Sequence, residues 1–532
     1  MKKIPIGIQN IQEVLTEDYL YVDKTHFAQE LIQTGKHYFL SRPRRFGKSL
    51  FLSTLEEILK GNKELFKDCH IYQADYEWQQ YPVLSIDFSR IANRTPVELE
   101  GSLKRTLQRL AKAHQLSITT PTLQEGLEAL VVALYQQKES KVVFLVDEYD
   151  KPIIDHLESV ESAQGNRLLL RDFFGTLKSL DKYLKLTFIT GISRFSKVSL
   201  FSEANHLDDI SMYPQYATLM GYTAEELKAT FAEHIQTIAQ KRGVDQGAIL
   251  AEIKEWYNGY RFTKASKYVY NPFSTLKYIS TREANSYWYT TGTPAFLIKE
   301  IQKRPNLTTT LSGISVSKSA LMDIRSVENV DLASLMFQTG YLTIKRYYEK
   351  EKAYQLDFPN EEVRSAFFDS LLNELTVMDT LTVTRAAEQL RKHLSLLELG
   401  AFVQTINSHF AKMPYHVFVH AKEGFYQAVF LTLLEKSDIP VQAEVLTNQG
   451  RIDVIAQLPD KTFIFELKVD QTAAHAFEQA EDKYYSERYL REGKEVVVLG
   501  MNFGTQTRNI ADWKGGLYKA NGTLVKELGG NE

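Results

Sequence analysis

The chain opens with short apolar runs set between longer amphipathic stretches. The runs are His37–Ser41, Val83–Phe88, Val142–Val146 and Leu186–Thr190, and the stretches lie around 48–60, 95–136 and 163–182. Apolar runs of strand length alternating with helical periodicity predict a parallel sheet with helices on both faces, over residues 1–215. From 216 to 410 the period becomes mostly helical, as in Thr223–Arg242, Gly247–Tyr257, Glu361–Leu375 and Thr384–His409. Two aromatic segments interrupt it, Trp256-Tyr-Asn-Gly-Tyr-Arg-Phe262 and Tyr287-Trp-Tyr-Thr-Thr-Gly292. Their default reading is the core of a helical lid or connector packed on the first domain; stacking on bases or adenine is the alternative. Residues 411–532 change texture again: a helix at 420–436, strands at 440–446, 451–456 and 461–467, a helix at 473–491 and a strand at 495–499. Asn448-Gln449-Gly450 and Pro459-Asp460 are turn signals between the strands. The order α-β-β-β-α-β predicts a third, compact α/β domain.

Composition narrows the class. The chain has 532 residues, 44% hydrophobic and 24% charged, which excludes global disorder, collagen and coiled coil. Sixty-three basic against 66 acidic residues give a formal charge of −3, which excludes a histone-like polycation but leaves room for a local basic face. Cys69 is the single cysteine, so intramolecular disulfides, Cys-based zinc fingers and CxxC redox chemistry are excluded, and a reducing compartment is expected. Polar Gln9, Asn10, Gln12 and Glu13 arrive before any apolar run, and no stretch approaches the roughly 18 apolar residues of a membrane span. A cytoplasmic protein with no membrane partner is the expectation.

Two motifs near the N-terminus carry phosphate chemistry. In Phe39-Leu-Ser-Arg-Pro-Arg-Arg-Phe-Gly-Lys-Ser49 an apolar strand enters a loop, and Gly47-Lys48-Ser49 opens a helix, the context of a phosphate-binding loop. Lys48 can reach the β- and γ-phosphates of ATP and the Ser49 hydroxyl can ligate Mg²⁺. Arg42 stands where the pattern GxxxxGK[ST] asks for glycine, and Pro43 lacks an N–H donor. Arg42, Arg44 and Arg45 add positive charge that can meet phosphate or a partner. The second motif is Val142-Val-Phe-Leu-Val-Asp147-Glu148. Asp147, at the strand's carboxyl end, is placed to hold the Mg²⁺ shell, and Glu148 to act as general base on water, with Asp150 helping through local hydrogen bonds. Taken alone, an Asp-Glu pair after a strand is more often a turn or helix cap. An additional strand, Val83–Phe88, falls between the two motif strands in sequence, and Leu186–Thr190 leads into Gly191-Ile-Ser-Arg194. Thr190 can sense the γ-phosphate and Arg194 can stabilise its developing charge; a surface salt bridge is the other reading of Arg194.

Ser41-Arg-Pro-Arg-Arg-Phe-Gly-Lys-Ser49, Asp147-Glu-Tyr-Asp-Lys-Pro152 and Thr190-Gly-Ile-Ser-Arg-Phe-Ser-Lys-Val198 resemble the bacterial AAA-ATPase-like family, as do Trp256–Phe262 and Tyr270-Asn-Pro-Phe273. The resemblance covers about residues 4–300 and continues toward the C-terminus. It implies a P-loop ATPase domain, and it makes Arg42 a family variation.

The second constellation is Gly450-Arg-Ile-Asp453 followed by Phe463-Ile-Phe-Glu-Leu-Lys468. Strand alternation puts Glu466 and Lys468 on one face with Leu467 in the core. A hairpin can bring Asp453 beside Glu466, 13 residues on, making an oxygen-rich site for Mg²⁺ or Mn²⁺. Lys468 can orient or deprotonate the attacking water, while the metal polarises a scissile phosphate. An ion-pair cluster on an ordinary sheet edge is the competing reading. The set resembles the PD-(D/E)XK nuclease superfamily over about residues 411–505. That resemblance implies a helix-borne acid at Glu423 and a Gln479/Tyr485 pair that positions DNA or site groups. Lys422, Arg451, Lys468, Lys483 and Arg488 form either a DNA-facing strip or scattered solvated charge. The reading as a whole is an ATP-binding, ATP-hydrolysing protein coupled to a Mg²⁺-dependent DNA nuclease, with a homo-oligomer or activating protein as further partner. The alternatives are a nucleotide-dependent switch with an inactive nuclease fold, and an ATPase whose C-terminal domain is structural.

Overall fold

The computed structural model describes residues 1–119, 121–194, 207–289, 314–322, 331–376, 380–413, 423–437, 439–446, 451–490 and 493–529. The chain forms two compact units, Met1–Thr293 with Ser315–Val363 and Pro294–Ile314 with Arg364–Glu532. The stretch 216–410 is thus shared between them.

The first unit is built on a five-stranded sheet of β1 (His37–Ser41), β2 (Val83–Asp87), β3 (Val142–Asp147), β4 (Leu184–Gly191) and β5 (Asp208–Asp209), in the order β2-β3-β4-β1-β5. All its pairings are parallel. Buried on both faces, β1 and β3 read as continuous apolar runs for that reason. The additional strand in sequence, β2, lies at the sheet edge. In space it is β4, the strand of Thr190, that stands between β1 and β3. The register pairs Ser41 with Gly191 and Val146 with Ile189, so β1, β3 and β4 end together. Ligands of open parallel sheets bind at this edge.

Gly47, at φ +93, caps helix α1 (Lys48–Leu59). The stretch 95–136 is two helices, Pro96–Ala113 and Leu123–Lys138, because Thr95 and Thr122 each cap a new start. Helices Ala224–Thr230, Ala232–Arg242, Gln246–Tyr257 and Pro272–Thr281 pack around Leu227, Ile235, Ile253 and Tyr278. An antiparallel hairpin, β6 (Thr343–Tyr348) and β7 (Ala353–Asp357), departs from the helical expectation. Its polar positions hide a period of 2, and cross-strand pairing of Tyr347 with Tyr354 stabilises it.

The second unit holds a six-stranded sheet, β8 (Val441–Leu446), β9 (Arg451–Gln457), β10 (Lys461–Val469), β11 (Glu495–Gly504), β12 (Asn509–Tyr518) and β13 (Leu524–Gly529), in the order β13-β12-β11-β10-β9-β8. Only β10 and β11 pair in parallel. On one face Phe465 meets Phe402 and Phe430 from helices Leu399–Phe410 and Glu423–Lys436. On the other face Ile464, Val496 and Val498 pack with Ala480 of α2 (Ala473–Asp482) and with Tyr485 and Tyr489. A Cβ on Gly500 would fall 2.4 Å from both the Ala473 carbonyl oxygen and the Phe477 nitrogen, so glycine lets α2 lie directly on β11. Strands β12 and β13 were not expected. Asn509-Ile-Ala-Asp-Trp-Lys-Gly-Gly-Leu-Tyr518 contains no apolar run, and tertiary pairing supplies what pattern does not.

Candidate active sites

At the carboxyl edge of the first sheet, Asp147 is the centre of a hydrogen-bond set. The Ser49 hydroxyl donates to its Oδ2 at 2.5 Å, and the Thr190 hydroxyl (2.6 Å) and the Glu148 N–H (3.0 Å) donate to its Oδ1. The start of α1, the end of β3 and the end of β4 are thus joined at one carboxylate. Glu148 has φ +51, an uncommon conformation for a non-glycine residue. Burial pushes its carboxyl above the usual range, with Lys48 opposing. Lys48 is buried, and its ammonium donates to the carbonyls of Arg42 (3.0 Å) and Pro43 (2.9 Å). Burial lowers its pKa; Asp147 and Glu148 oppose the shift.

The loop is locked by side chains from outside the sheet. Arg42 does not face phosphate. It is 1% exposed, with its guanidinium over the Phe262 ring at 4.4 Å and donating to the carbonyls of Ser41 (2.9 Å), Ser211 (2.8 Å) and Tyr216 (3.3 Å). Burial, then the charge of Arg194, lowers its pKa to about 9. Phe46 inserts edge-on against Tyr260 (4.8 Å) and Phe262 (5.5 Å). Tyr260 and Phe262 of the aromatic segment Trp256–Phe262 therefore pack on the phosphate loop. Gly259 permits its turn: φ is +100, and a Cβ there would fall 2.0 Å from the Pro359 carbonyl oxygen.

Arg44, Arg45, Gly47, Lys48, Ser49 and Glu148 line a cavity of about 510 Å³ whose wall also includes Tyr21, Tyr222 and Phe273. Arg45 lies 5.1 Å over Phe273. The size suits a nucleotide, and the cationic loop with aromatic walls matches its phosphates and base. Ser49 and Asp147 are the oxygen pair that fits Mg²⁺. Two further groups of the motifs are buried beside this edge. Arg194 is 3% exposed and ion-paired with Asp209, so it is neither at a phosphate position nor in a surface salt bridge. Asp150 is fully buried and accepts from Ile192 N–H, Ser193 N–H and the Ser193 hydroxyl, bracing the loop after β4.

In the second unit, the register that pairs Val454 with Phe465 sets Asp453 beside Glu466. Asp453 Oδ2 accepts the Leu467 N–H at 2.8 Å. Glu466 is 1% exposed, and its Oε1 accepts from Lys468 Nζ (3.2 Å) and from Gln479 of α2. Its Oε2, also buried, has no hydrogen-bond partner among the described residues. Burial first, then Asp453, raises Glu466 to about 7. Two carboxylates at 7% and 1% exposure with one unsatisfied oxygen fit a hard divalent cation. Among the described residues no group of three or more His, Cys, Asp or Glu is placed to hold a metal, so backbone or water oxygens would complete the shell. Tyr485 is buried in the cluster with Ala480, Ile464 and Val498. The side chains of Glu423 and Arg451, and residues 195–198, 290–292, 422 and 450 of the motifs, lie outside the described residues.

Residues 5–201 match the family model described as predicted AAA-ATPase, and residues 421–513 match the PD-(D/E)XK nuclease superfamily. The uncharacterized protein in the vnfD 5′ region of Azotobacter chroococcum mcd 1 is 36% identical over 519 residues, covering 96% of this chain and 98% of that protein. The chain belongs to this AAA-ATPase-like family. Its C-terminal domain is of the PD-(D/E)XK nuclease superfamily. The solved structure of the Aeropyrum pernix ORC2 protein (ADPNP–ADP complexes) aligns over 65% of this chain and 93% of that one, at 9% identity and a TM-score of 0.24, a likeness too slight to argue from. Among the described residues no helix is long and apolar enough to cross a membrane.

Sequence reasoning did not assign Tyr21, Tyr222 or Phe273 to the cavity; of these only Phe273, in Tyr270–Phe273, carried a motif signal. It read Arg42 as positive charge for phosphate or a partner, because a buried arginine held by backbone carbonyls leaves no pattern in sequence.

Proposed function

We propose that this protein binds and hydrolyses ATP–Mg²⁺ in its first unit and cleaves DNA phosphodiester bonds in its second. The observation that carries the second half is Glu466: buried beside Asp453, with Lys468 and Gln479 on one oxygen and, among the described residues, no hydrogen-bond partner on the other. A structural ion pair would pair both oxygens rather than leave one buried and bare. A bound Mg²⁺ or Mn²⁺ supplies charge stabilisation to the scissile phosphate. Asp453 and Glu466 hold it, Gln479 fixes the Glu466 rotamer, and Lys468 orients water and takes up or releases its proton. Glu423 is assigned a supporting role on family grounds. Lys483, whose charge reaches Glu466, extends the positive surface toward a DNA backbone.

In the first unit Lys48, Arg44 and Arg45 neutralise the phosphates, and Ser49 and Asp147 hold Mg²⁺. Thr190 keeps the Asp147 carboxylate oriented. Glu148 is the general base, its basicity raised by burial. Arg194, through Asp209, braces the edge of the sheet. The lone cysteine, buried, suits a cytoplasmic setting.

The test is incubation of single- and double-stranded DNA with Mn²⁺, with and without ATP, using the whole chain and Asp453→Ala. Cleavage absent from the variant and altered by ATP is expected. Intact DNA in every lane, from protein that binds ATP, would replace catalysis with a nucleotide-dependent binding module.

A further inference from the structure

The phosphate loop Arg42–Gly47 is gripped through its carbonyls as well as its side chains. Lys48 occupies the carbonyls of Arg42 and Pro43. The next carbonyl, that of Arg44, accepts the indole N–H of Trp288 at 3.0 Å. Trp288 is 4% exposed and comes from the aromatic segment far along the chain. Its ring packs on Tyr341, and it borders the same space as Pro43 and Gly340: a Cβ on Gly340 would fall 2.7 Å from Pro43 Cβ and 3.4 Å from the Trp288 ring. Trp288 is itself held, because its backbone N–H donates to Glu362 Oε1 at 2.6 Å. The same oxygen accepts the Ser274 hydroxyl at 2.9 Å. Ser274 lies on helix Pro272–Thr281, whose Phe273 lines the cavity and carries Arg45 on its ring. Glu362 is fully buried, in the first turn of helix Glu361–Thr376. One carboxylate oxygen therefore ties together the residue that holds the loop and the helix that walls the cavity.

We infer that Trp288 and Glu362 are positioning residues for nucleotide binding: Glu362 sets Trp288, and the indole N–H sets the phosphate loop. This rests on the nucleotide-binding reading of the first unit and adds residues that no phosphate-loop motif contains. Glu362 stands in the first turn of the helix begun at Glu361, so loop position is linked to that turn. By linkage, what biases the loop biases the helix start to the same extent.

The test is hydrogen–deuterium exchange of the loop amides of the whole chain, with and without adenylyl imidodiphosphate, in four variants. Trp288→Phe keeps a ring and removes the N–H; it is expected to speed loop exchange about fivefold and to weaken nucleotide binding by a similar factor, the worth of one hydrogen bond. Glu362→Leu removes the acceptor and is expected to match it. Glu362→Gln keeps an acceptor oxygen and is expected to stay near wild type. Trp256→Phe, a partly buried tryptophan of the helical core, is the control for general loosening. Loop exchange within twofold of wild type in both Trp288→Phe and Glu362→Leu would overturn the inference, as would an equal rise in Trp256→Phe. Failure of the wild-type loop to respond to the nucleotide would sink the binding reading instead. The exchange comparison without nucleotide would still decide whether Trp288 and Glu362 position the loop.

Discussion

Asp147 in the first unit ends its strand and Glu466 in the second lies within one, and the surroundings of the two acids differ in kind. Asp147 has donors on both oxygens: Ser49 on one, Thr190 and the Glu148 N–H on the other. Glu466 takes Lys468 and Gln479 on one oxygen and is crowded by the charge of Asp453. Hydrogen-bond donors offset the cost of burying a carboxylate, whereas a second carboxylate adds to it. The first arrangement is satisfied by the protein itself. The second buries two carboxylates side by side, and their mutual repulsion adds to the cost of burial.

The largest expected effects separate the two chemistries. Lys468→Ala should lower DNA cleavage by about 10³-fold and leave ATP turnover in place, while Glu148→Gln should lower ATP turnover by about 10²- to 10³-fold with ATP binding retained. Parallel turnover and cleavage assays check both. Loss of both activities in either variant would erase the distinction between the sites.

Next in size is a stability effect on the first site. Arg42→Gly restores the glycine of the phosphate-loop pattern, yet it removes bonds to Ser41, Ser211 and Tyr216 and the contact with Phe262. It should destabilise the chain by about 3 kcal/mol in denaturant titration. A neutral result would mean that the loop does not depend on that buried clamp.

Neutralising each central acid should move stability in opposite directions. Asp147→Asn disrupts acceptors for three donors and should cost about 1–2 kcal/mol at pH 8. Glu466→Gln relieves a buried, repelled charge and should raise stability by about 1 kcal/mol at that pH, though it abolishes cleavage. Thermal midpoints of the two variants test the contrast directly.

The last expected effect is in pH. Glu466 lies near 7 in the folded chain, above the unfolded range of about 4.3, so it favours folding fully below the unfolded value and loses that contribution as pH rises through 7. Glu362, raised to about 8 chiefly by burial, behaves alike through 8. Melting temperature should therefore fall from pH 6 to 9. Mn²⁺ should restore the part owed to Glu466 and leave the part owed to Glu362, which Glu362→Gln removes. Cleavage should rise with pH as Glu466 ionises, with a midpoint below 7 when Mn²⁺ is present.

Much of this was legible in sequence where a local rule applied. His37–Ser41 is β1 residue for residue, Gly47-Lys48-Ser49 does open a helix, and Asp453, Glu466 and Lys468 do meet, because strand alternation and a short hairpin leave few other outcomes. What escaped was decided by partners distant in the chain. Strand β12 forms because β11 is there to pair with it, and Gly515 sits under the Val498 carbonyl, where a Cβ would come within 2.4 Å. Arg194 meets Asp209, Tyr485 enters the core, and Arg42 turns inward, each by burial that no spacing announces.

The amino-acid sequence by itself determined the class of chemistry: a phosphate loop opening a helix, an acid at the end of a buried strand, and a carboxylate–lysine strand with its upstream aspartate. Periodicity and side-chain type act within a few residues, so they survive reading along the chain. Only the tertiary structure decided which charges are buried, which oxygens are satisfied, and that Trp288 and Glu362 stand behind the phosphate loop. Burial and hydrogen-bond pairing across hundreds of residues depend on packing, and packing is a property of the folded chain as a whole.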